Sequence, residues 1–494
     1  MRKLIVSFAF SLCIGVVNLK AQSKVFKEVS EDVSSEMKTI TQDGSLVGYL
    51  VFTELERASE DSFNYKITLM DENLNDIGAV NFREEKLDLE DVSFEQDILC
   101  IAYLKSNING REFRNKQEYN TFKARNFMFT QFLTLNGKII KTNEIKVHTA
   151  PPGLQPPGGR FTYYRSFAHH VQVKNIPQKG FASFYGDADG CDLITYDLAG
   201  KELWEKNIDN EQDYSLFISK TDIYLLQNVS GRYYLLSYNA EDGTAYDKII
   251  LNDKVNLNDR LGNELKVLSF GNDLVTGTPY LSGSIIDKQK GESINSRKEL
   301  ANGPYLGVYI MDIKGHTKND VKQTFIYWND GSQKPAISET GYISQTESYS
   351  VVTNSFRDYN GNTYFIGSEF IKKDKVTEVA LLKVNPKGSL SFESEIVCDD
   401  SKSVKGSFST HGIFIDPRGF YSVDNANTKT NYIIIDDAKN IIIYNVSQKK
   451  IVRTVPHKDG NTRTYIFPAK EGHIMVVENN KKEKYTKLSI EPLN

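Results

Sequence analysis

Cysteine is scarce in this sequence, with four among 494 residues. So few cysteines exclude a small disulfide-stapled scaffold. Long apolar runs are also missing beyond the N-terminus. The longest there, Ile433 to Ile435 and Ile441 to Tyr444, have the length of strands, whereas a membrane-spanning helix needs about 20 residues. We therefore expect no membrane span in the mature chain.

An excess of basic charge is absent as well. Lys and Arg number 60 against 64 Asp and Glu, for a net charge of -4 at pH 7. Nucleic-acid-binding domains are typically basic, and the sequence has no recognisable phosphate loop, dinucleotide fingerprint or nucleophile elbow. The seven His include no His-x-x-x-His pair, as a helical zinc site would require. We expect no nucleic-acid partner, no cofactor and no metal site.

The first 21 residues have the pattern of a secretory signal peptide. A basic start (Arg2, Lys3) is followed by an apolar run from Leu4 to Val17 and by the small residue Ala21. We expect cleavage before Gln22 and export to the periplasm or the extracellular space. Loss of Arg2, Lys3 and Lys20 leaves 57 basic and 64 acidic residues, so the mature chain has a net charge of -7.

Strand-length apolar runs recur from Leu46 to the C-terminus, and Gly, Asn and Asp clusters separate them. The clearest unit runs from Asp192 to Trp204, where an Asp197-x-x-Gly200 turn joins two strands. Hairpin tips of this kind fall at intervals of 62, 63, 43, 72, 73 and 59 residues. The tips lie at Asn75, Gly137, Gly200, Gly243, Gly315, Gly388 and Ser447.

These intervals predict an all-β fold, a β-propeller of seven or eight four-stranded blades, because a blade takes about 40 to 50 residues plus insertions. Residues 22–494 then form a single propeller-like domain. An N-terminal strand near Lys24 to Ser30 would pair with the last strand group, Thr464 to Leu493, and close the ring. The alternative is two or three β-sandwich domains with a linker at 150–159, the one strongly Pro- and Gly-biased stretch.

The segment Asp358-Tyr-Asn-Gly-Asn-Thr-Tyr-Phe-Ile-Gly367 resembles the repeat unit of bacterial propellers, and Asp416 to Tyr421 resembles it more loosely. Together with the leader, the chain looks like the secreted or periplasmic β-propeller-like proteins of Bacteroidota, most of them of unassigned function. The cofactor-contacting motifs of quinoprotein propellers are not found in the sequence. The resemblance therefore implies a propeller fold and an exported protein but no reaction.

Four long connections are predicted to leave the same face of the propeller: residues 106–126, 149–165, 287–304 and 327–344. Their charges add to about +5, on a mature chain of net charge -7. Long loops on one face of a rigid scaffold are a common place for binding sites, and positive charge favours an anionic partner. We therefore expect a non-catalytic binding or scaffolding protein for an anionic glycan, an envelope polymer or a peptide, or for a protein partner.

The predicted ligand-binding residues lie in one Pro-flanked stretch, Arg160, Tyr163, Tyr164 and Arg165. Arginine offers a planar fork to carboxylates, and tyrosine offers a face on which sugar rings stack. The alternative function is a glycan-cleaving propeller enzyme with paired carboxylates near the central channel, since the segments read as innermost strands contain Asp91, Glu264, Glu347 and His411. No catalytic residue is assigned. Pairing among Cys100, Cys191 and Cys398 stays open.

Overall fold

The computed structural model describes residues 22–27, 34–42, 45–59, 61–105, 112–123, 126–148, 161–162, 171–187, 189–208, 214–229, 232–251, 263–287, 305–328, 337–371, 375–398, 419–425, 428–436, 439–458 and 460–493. Most of them lie in antiparallel strands. The described strands form eight blades, numbered 1 to 8, so the predicted β-propeller is confirmed with eight blades and the β-sandwich alternative is wrong.

Blades 1 to 4 follow one another along the chain after an N-terminal strand, β1 (Gln22–Lys27). Blade 1 contains β2 (Ser34–Gln42), β3 (Ser45–Arg57), β4 (Phe63–Asp71) and β5 (Asp76–Glu84). Blade 2 contains β6 (Leu87–Glu95) and β7 (Ile98–Lys105), then, after the short strand β8 (Glu112–Phe113) and helix α1 (Lys116–Lys123), β9 (Phe127–Thr134) and β10 (Ile139–Lys146). After β11 (Phe161–Thr162), blade 3 contains β12 (Gln172–Ile176), β13 (Gly180–Gly186), β14 (Cys191–Asp197) and β15 (Glu202–Ile208). Blade 4 contains β16 (Tyr214–Ser219), β17 (Asp222–Val229), β18 (Arg232–Asn239) and β19 (Ile249–Ile250).

Blades 5 to 8 complete the ring. Blade 5 contains β20 (Asn263–Asn272), β21 (Pro279–Asp287), β22 (Tyr305–Ile313) and, after a 3-10 turn at Lys318–Asp320, β23 (Val321–Tyr327). Blade 6 adds a two-residue strand, β24 (Tyr342–Ile343), to β25 (Ser348–Arg357), β26 (Thr363–Ile371), β27 (Lys375–Val384) and β28 (Leu390–Val397). Blade 7 contains β29 (Gly419–Asn425), β30 (Thr430–Asp436), β31 (Asn440–Asn445) and β32 (Lys450–Pro456). Blade 8 combines β33 (Thr462–Pro468), β34 (His473–Asn480) and β35 (Tyr485–Pro492) with β1.

The four main strands of each blade are called A to D in order from the propeller axis outward. The A strands of neighbouring blades contact one another, as β6 does with β2 and β12. Middle strands such as β7 are covered on both faces and read as continuous apolar runs, whereas the outer strand β10 is mostly exposed. Apolar clusters therefore fill the spaces between adjacent blades, and each blade is stabilised mainly by its two neighbours.

Ring closure occurs as predicted, through the N-terminus. Strand β1 pairs antiparallel with β35, with Gln22 opposite Ile490 and Lys27 opposite Tyr485. The closing strand thus begins two residues before the predicted Lys24, at the first residue of the expected mature chain. Lys24 forms an ion pair with Asp76 of blade 1, so this strand also contacts the next blade in the ring.

The C-D turns carry the hairpin tips predicted from the sequence. In blade 3 the Asp197 carboxylate accepts hydrogen bonds from the amides of Ala199 and Lys201 at 2.9 and 2.8 Å, and Gly200 has a φ of 75°. Such a turn needs the left-handed conformation that glycine adopts without strain. The corresponding turn of blade 6, at Asn385 to Gly388, has the same geometry, with a φ of 85° at Gly388.

The turn of blade 5 departs from the prediction. Asp312 to Gly315 lies in a C-D connection on the same face, but Gly315 is not among the residues of positive φ, and the Asp312 carboxylate does not close this turn. Asp320 closes it instead, by accepting hydrogen bonds from the amide and hydroxyl of Thr317. Asp312 pairs with Arg357 of the next blade.

The three cysteines of the expected mature chain, Cys100, Cys191 and Cys398, are buried, and they form no disulfide with one another. Burial raises the pKa of Cys191 to about 12. Within the described part of the chain, no helix is long and apolar enough to cross a membrane.

Candidate functional site

The strand order divides the propeller into two faces. The B-C and D-A connections leave one end of the strands, called the loop face, and the A-B and C-D turns leave the other, called the turn face. The four long segments are the B-C connections of blades 2 and 5 and the D-A connections that follow those two blades. The strand ends that flank all four segments therefore lie at the loop face.

The insertion lobe is formed by β8 and α1, from the B-C segment of blade 2, together with β11, from the D-A segment that follows blade 2. Asn115 caps the helix, because its side-chain oxygen accepts a hydrogen bond from the Glu118 amide at 2.9 Å. Glu118 in turn accepts one from the Arg114 amide at 2.8 Å. Tyr119 on the helix packs edge to face on Phe113, with ring centroids 5.4 Å apart, and both rings are buried. The lobe thus has a small aromatic core of its own.

The insertion lobe joins two loop-face segments that are separate in sequence. Strand β11, from the D-A segment after blade 2, pairs antiparallel with β8, from the B-C segment of blade 2. Phe161 lies opposite Phe113, and Thr162 lies opposite Glu112. The predicted ligand-binding residues Arg160, Tyr163, Tyr164 and Arg165 lie outside the described residues, immediately before and after β11.

Two further features of the insertion lobe and its base were not predicted. Arg114 and Lys116 are exposed on the lobe, which adds basic side chains beside β11. At its base, the Asn126 side chain is fully buried, and neither its amide nitrogen nor its oxygen has a hydrogen-bond partner among the described residues. A buried amide without a partner is unusual because it costs free energy.

The acidic residues Asp187 and Asp189 lie between β13 and β14, at the loop face. One oxygen of the Asp187 carboxylate accepts hydrogen bonds from the amides of Asp189 and Gly190, and the other accepts one from the His148 amide at 2.7 Å. The His148 ring lies 2.8 Å from the Asp189 carboxylate. Across the described residues, no group of three or more His, Cys, Asp or Glu side chains is arranged to hold a metal ion.

The polar residues expected on innermost strands have mixed placements. Asp91 on β6 accepts hydrogen bonds from the Val173 amide at 2.9 Å and the Lys174 amine at 3.4 Å, so it joins the A strands of blades 2 and 3. Glu264 lies on β20 as expected. Glu347 does not lie on an innermost strand: it is exposed, with a φ of 52°, in the turn before β25. His411 lies outside the described residues.

Two carboxylates do meet in blade 6, at a place the sequence did not indicate. Glu378 on β27 and Glu395 on β28 share a hydrogen bond, which, together with partial burial and the like charge, raises the pKa of Glu378 to about 7. Glycosidase carboxyl groups are about 5 to 9.5 Å apart, with the sugar between them. Two carboxyl groups in direct contact on the outer strands C and D do not have this arrangement.

A Ser-His-Asp arrangement connects blades 4 and 5 at the turn face. His316 Nδ1 lies 3.1 Å from the Ser237 hydroxyl, and Nε2 lies 3.4 Å from the Asp222 carboxylate. The Tyr246 ring stacks on the His316 ring, with the two ring centroids 3.6 Å apart. The Ser237 side chain is only 2% exposed, so a substrate has no access to this hydroxyl. The cluster therefore has a structural role, because its contacts hold the C-D turn of blade 5 against blade 4.

Comparisons with known proteins give one partial family match and several distant structural similarities. Residues 1–130 match the model of a family of unknown function, DUF6770. None of the curated proteins is detectably similar in sequence. The structure is similar to that of the C-terminal WD40 domain of Sif2. The two chains share 8% sequence identity and a TM-score of 0.47, and the match covers 95% of this chain and 98% of that chain.

Two other solved structures are similar in the same general way. The polysaccharide lyase Uly1 shares 9% identity with a TM-score of 0.38, over 82% of this chain and 90% of that one. A protein of unknown function from Bacteroides caccae shares 12% identity with a TM-score of 0.30, over 62% of this chain and 92% of that one. Because all three scores are below 0.5, no activity or ligand is transferred from these proteins to this chain.

Proposed function

We propose that this protein is an exported, non-catalytic binding propeller that holds an anionic glycan on its loop face. The observation that supports the proposal is the pairing of β8 with β11, because β11 is adjacent in sequence to Arg160 and Tyr163. Loops supported by a rigid scaffold lose less conformational entropy on binding than free loops.

The chemistry of the segment favours an acidic, ring-shaped ligand. Arg160 and Arg165 would donate paired hydrogen bonds to carboxylates, while Tyr163 and Tyr164 would cover sugar rings. Arg114 and Lys116, exposed on the same lobe, would raise the local positive potential. An acidic peptide offers the same carboxylates without the rings, so it serves as the comparison ligand.

Binding of an acidic and a neutral polysaccharide, for example polygalacturonate and dextran, tests the proposal. We expect the mature chain to bind the acidic polymer and to lose affinity as salt increases. The double variant Arg160→Ala/Arg165→Ala should bind at least about ten-fold more weakly, because each charge-assisted hydrogen bond contributes about 1.5 to 3 kcal/mol. The matched control is Lys201→Ala/Lys387→Ala, which removes two exposed cations from C-D turns on the turn face.

Binding that ignores salt and both arginine substitutions would rule out the site, and preference for polyglutamate over polygalacturonate would replace the glycan with an acidic peptide. Breakdown of the polysaccharide during incubation would overturn the non-catalytic part.

Export is proposed on the leader together with the position of the closing strand. Strand β1 begins at Gln22, so cleavage after Ala21 would leave the blade 8 closure intact. Intact-mass measurement of the protein from its native host should give a chain that begins at Gln22. A mature chain that retains Met1 would contradict export by this route.

A further inference from the structure

A polar cavity of about 140 Å³ opens on the turn face between blades 5 and 6. Its charged lining comes from Asp273, Asp312 and Lys322 of blade 5 and from Arg357 of blade 6. Thr324, Thr363 and Asn385 add neutral polar groups, and Ile310, Val384 and Pro386 supply an apolar wall. The cavity lies on the opposite side of the propeller from the insertion lobe.

Arg357 is held in one orientation at this cavity. Its guanidinium donates to Asp312 at 2.8 Å and to Asp273 at 3.4 Å, and it lies 4.1 Å from the centre of the Tyr280 ring. Its side chain is 8% exposed. Burial alone would raise the pKa of Asp273, but hydrogen bonds from Thr276 and Val275 and the charge of Arg357 outweigh burial, so this pKa lies below its usual range. The Asp273 carboxylate therefore stays ionised near neutral pH.

Among the described residues, some hydrogen-bonding groups around the cavity have no partner. A guanidinium has five N-H groups, and the three contacts with Asp273, Asp312 and Thr363 leave two. Lys322 lies directly across from Asp312 on the neighbouring strand, yet no carboxylate of the described residues lies within ion-pair distance of its amine. The Asn385 side-chain oxygen closes its own turn, which leaves the amide nitrogen as a donor.

We infer that this cavity binds one neutral sugar ring. Two carboxylates and two cations cancel, so the cavity does not select a net charge, while donors and acceptors alternate around it. Neighbouring hydroxyl groups of a sugar both donate and accept hydrogen bonds. They could donate to the second carboxylate oxygen of Asp312 and accept from the N-H groups of Arg357, Lys322 and Asn385. A cavity of about 150 Å³ holds benzene, so this open cavity takes the ring of a sugar while the outer hydroxyl groups extend into its mouth. This inference does not depend on the loop-face proposal.

Saturation-transfer NMR with glucose, galactose, mannose and N-acetylglucosamine, each at millimolar concentration, tests the cavity. We expect at least one of the four to bind, independently of salt. Lys322→Met should weaken that binding by about ten-fold, and Thr324→Leu should abolish it by filling the cavity. Lys314→Met is the matched control, because Lys314 is an exposed lysine of the same blade and the same face that does not line the cavity.

The outcomes separate this site from the loop face. The Arg160→Ala/Arg165→Ala variant should keep monosaccharide binding unchanged. The inference is overturned by absence of binding for all four sugars, by binding that survives Thr324→Leu in a folded variant, or by binding of inorganic phosphate or free glutamate in preference to every sugar. Thermal unfolding of each variant shows whether it is folded.

Discussion

The space between blades 1 and 2 and the space between blades 5 and 6 are filled in different ways. The first holds an aromatic cluster in which Tyr103 has its ring 5.3 Å from Phe52 and 5.7 Å from Phe129. The second has an apolar outer part around Phe365, but its inner part is polar, with the Ser282 and Ser355 hydroxyls 2.9 Å apart and Arg357 between two carboxylates.

This difference indicates which junction is built for stability. A closed aromatic cluster gains free energy from every buried surface. Buried polar groups gain little free energy unless all of them are hydrogen-bonded, and the Ser284 hydroxyl, beside Lys266, has no hydrogen-bond partner among the described residues. The polar junction between blades 5 and 6 is therefore less stabilising than the aromatic one. Such a loss of stability is typical of places in a fold that serve binding.

The largest effect is expected in the aromatic junction. Tyr103→Ala should lower the free energy of unfolding by about 3 to 5 kcal/mol, because a fully buried ring is replaced by a void. Urea denaturation followed by tryptophan fluorescence and circular dichroism measures the change. Tyr465→Ala, at a ring that is 44% exposed, is the control and should cost far less. Equal losses for both would mean that this junction does not dominate stability.

Arg357→Ala should cost about 3 kcal/mol, since it leaves Asp273 and Asp312 buried or half-buried without their cation. Urea denaturation at pH 7 measures the loss. Arg83→Ala, which removes an exposed arginine, should change the free energy by less than about 0.5 kcal/mol. If Arg357→Ala lowers the free energy of unfolding no more than Arg83→Ala does, the ion pairs of Arg357 do not stabilise the polar junction.

Lys266 should make the polar junction sensitive to alkaline pH. Burial lowers its pKa to about 8, although Glu264 acts in the opposite direction. Between pH 8 and the unfolded value of 10.5 the unfolded chain binds more protons, so the free energy of unfolding should rise with pH across this window. We expect deprotonation of Lys266 to add about 1 to 2 kcal/mol to the free energy of unfolding, because solvent screens the exposed part of the side chain. Lys266→Met should lack it, and identical pH profiles of stability for the two proteins would contradict the assignment.

The smallest effect concerns the serine pair. Ser355→Ala leaves the Ser282 hydroxyl buried without its partner and should cost about 1 kcal/mol, whereas Ser282→Ala/Ser355→Ala should be close to neutral. Denaturation midpoints of the single and double variants test this order. A double variant less stable than the single one would show that the hydroxyl pair itself stabilises the junction.

The turn glycines show how far the sequence could be read. A positive φ at Gly200 and Gly243 was predictable from their turns, and the structure has 75° and 71°. A second requirement was not predictable: a Cβ on Gly200 would lie 2.6 Å from the Phe132 ring of the preceding blade, and one on Gly243 would lie 2.9 Å from the Trp204 ring. Local sequence contains the turn, but it does not identify the neighbour that packs on it.

Asp312 shows the converse case. Its spacing to Gly315 matched the turn pattern, yet its carboxylate bonds to Arg357, 45 residues further along the chain. The loop-face residues around Arg160 stay a prediction, because they lie outside the described residues.

The sequence by itself determined the all-β fold, the repeating hairpins and the closing role of the N-terminal strand, because alternation and turn chemistry act between residues close in the chain. The tertiary structure alone decided the number of blades, the His316 cluster and the cavity beside Arg357. Those features join side chains 45 to 94 residues apart, such as Asp312 with Arg357 and Asp222 with His316. Contacts at that separation follow from how successive blades face each other, and no local pattern in the sequence specifies them.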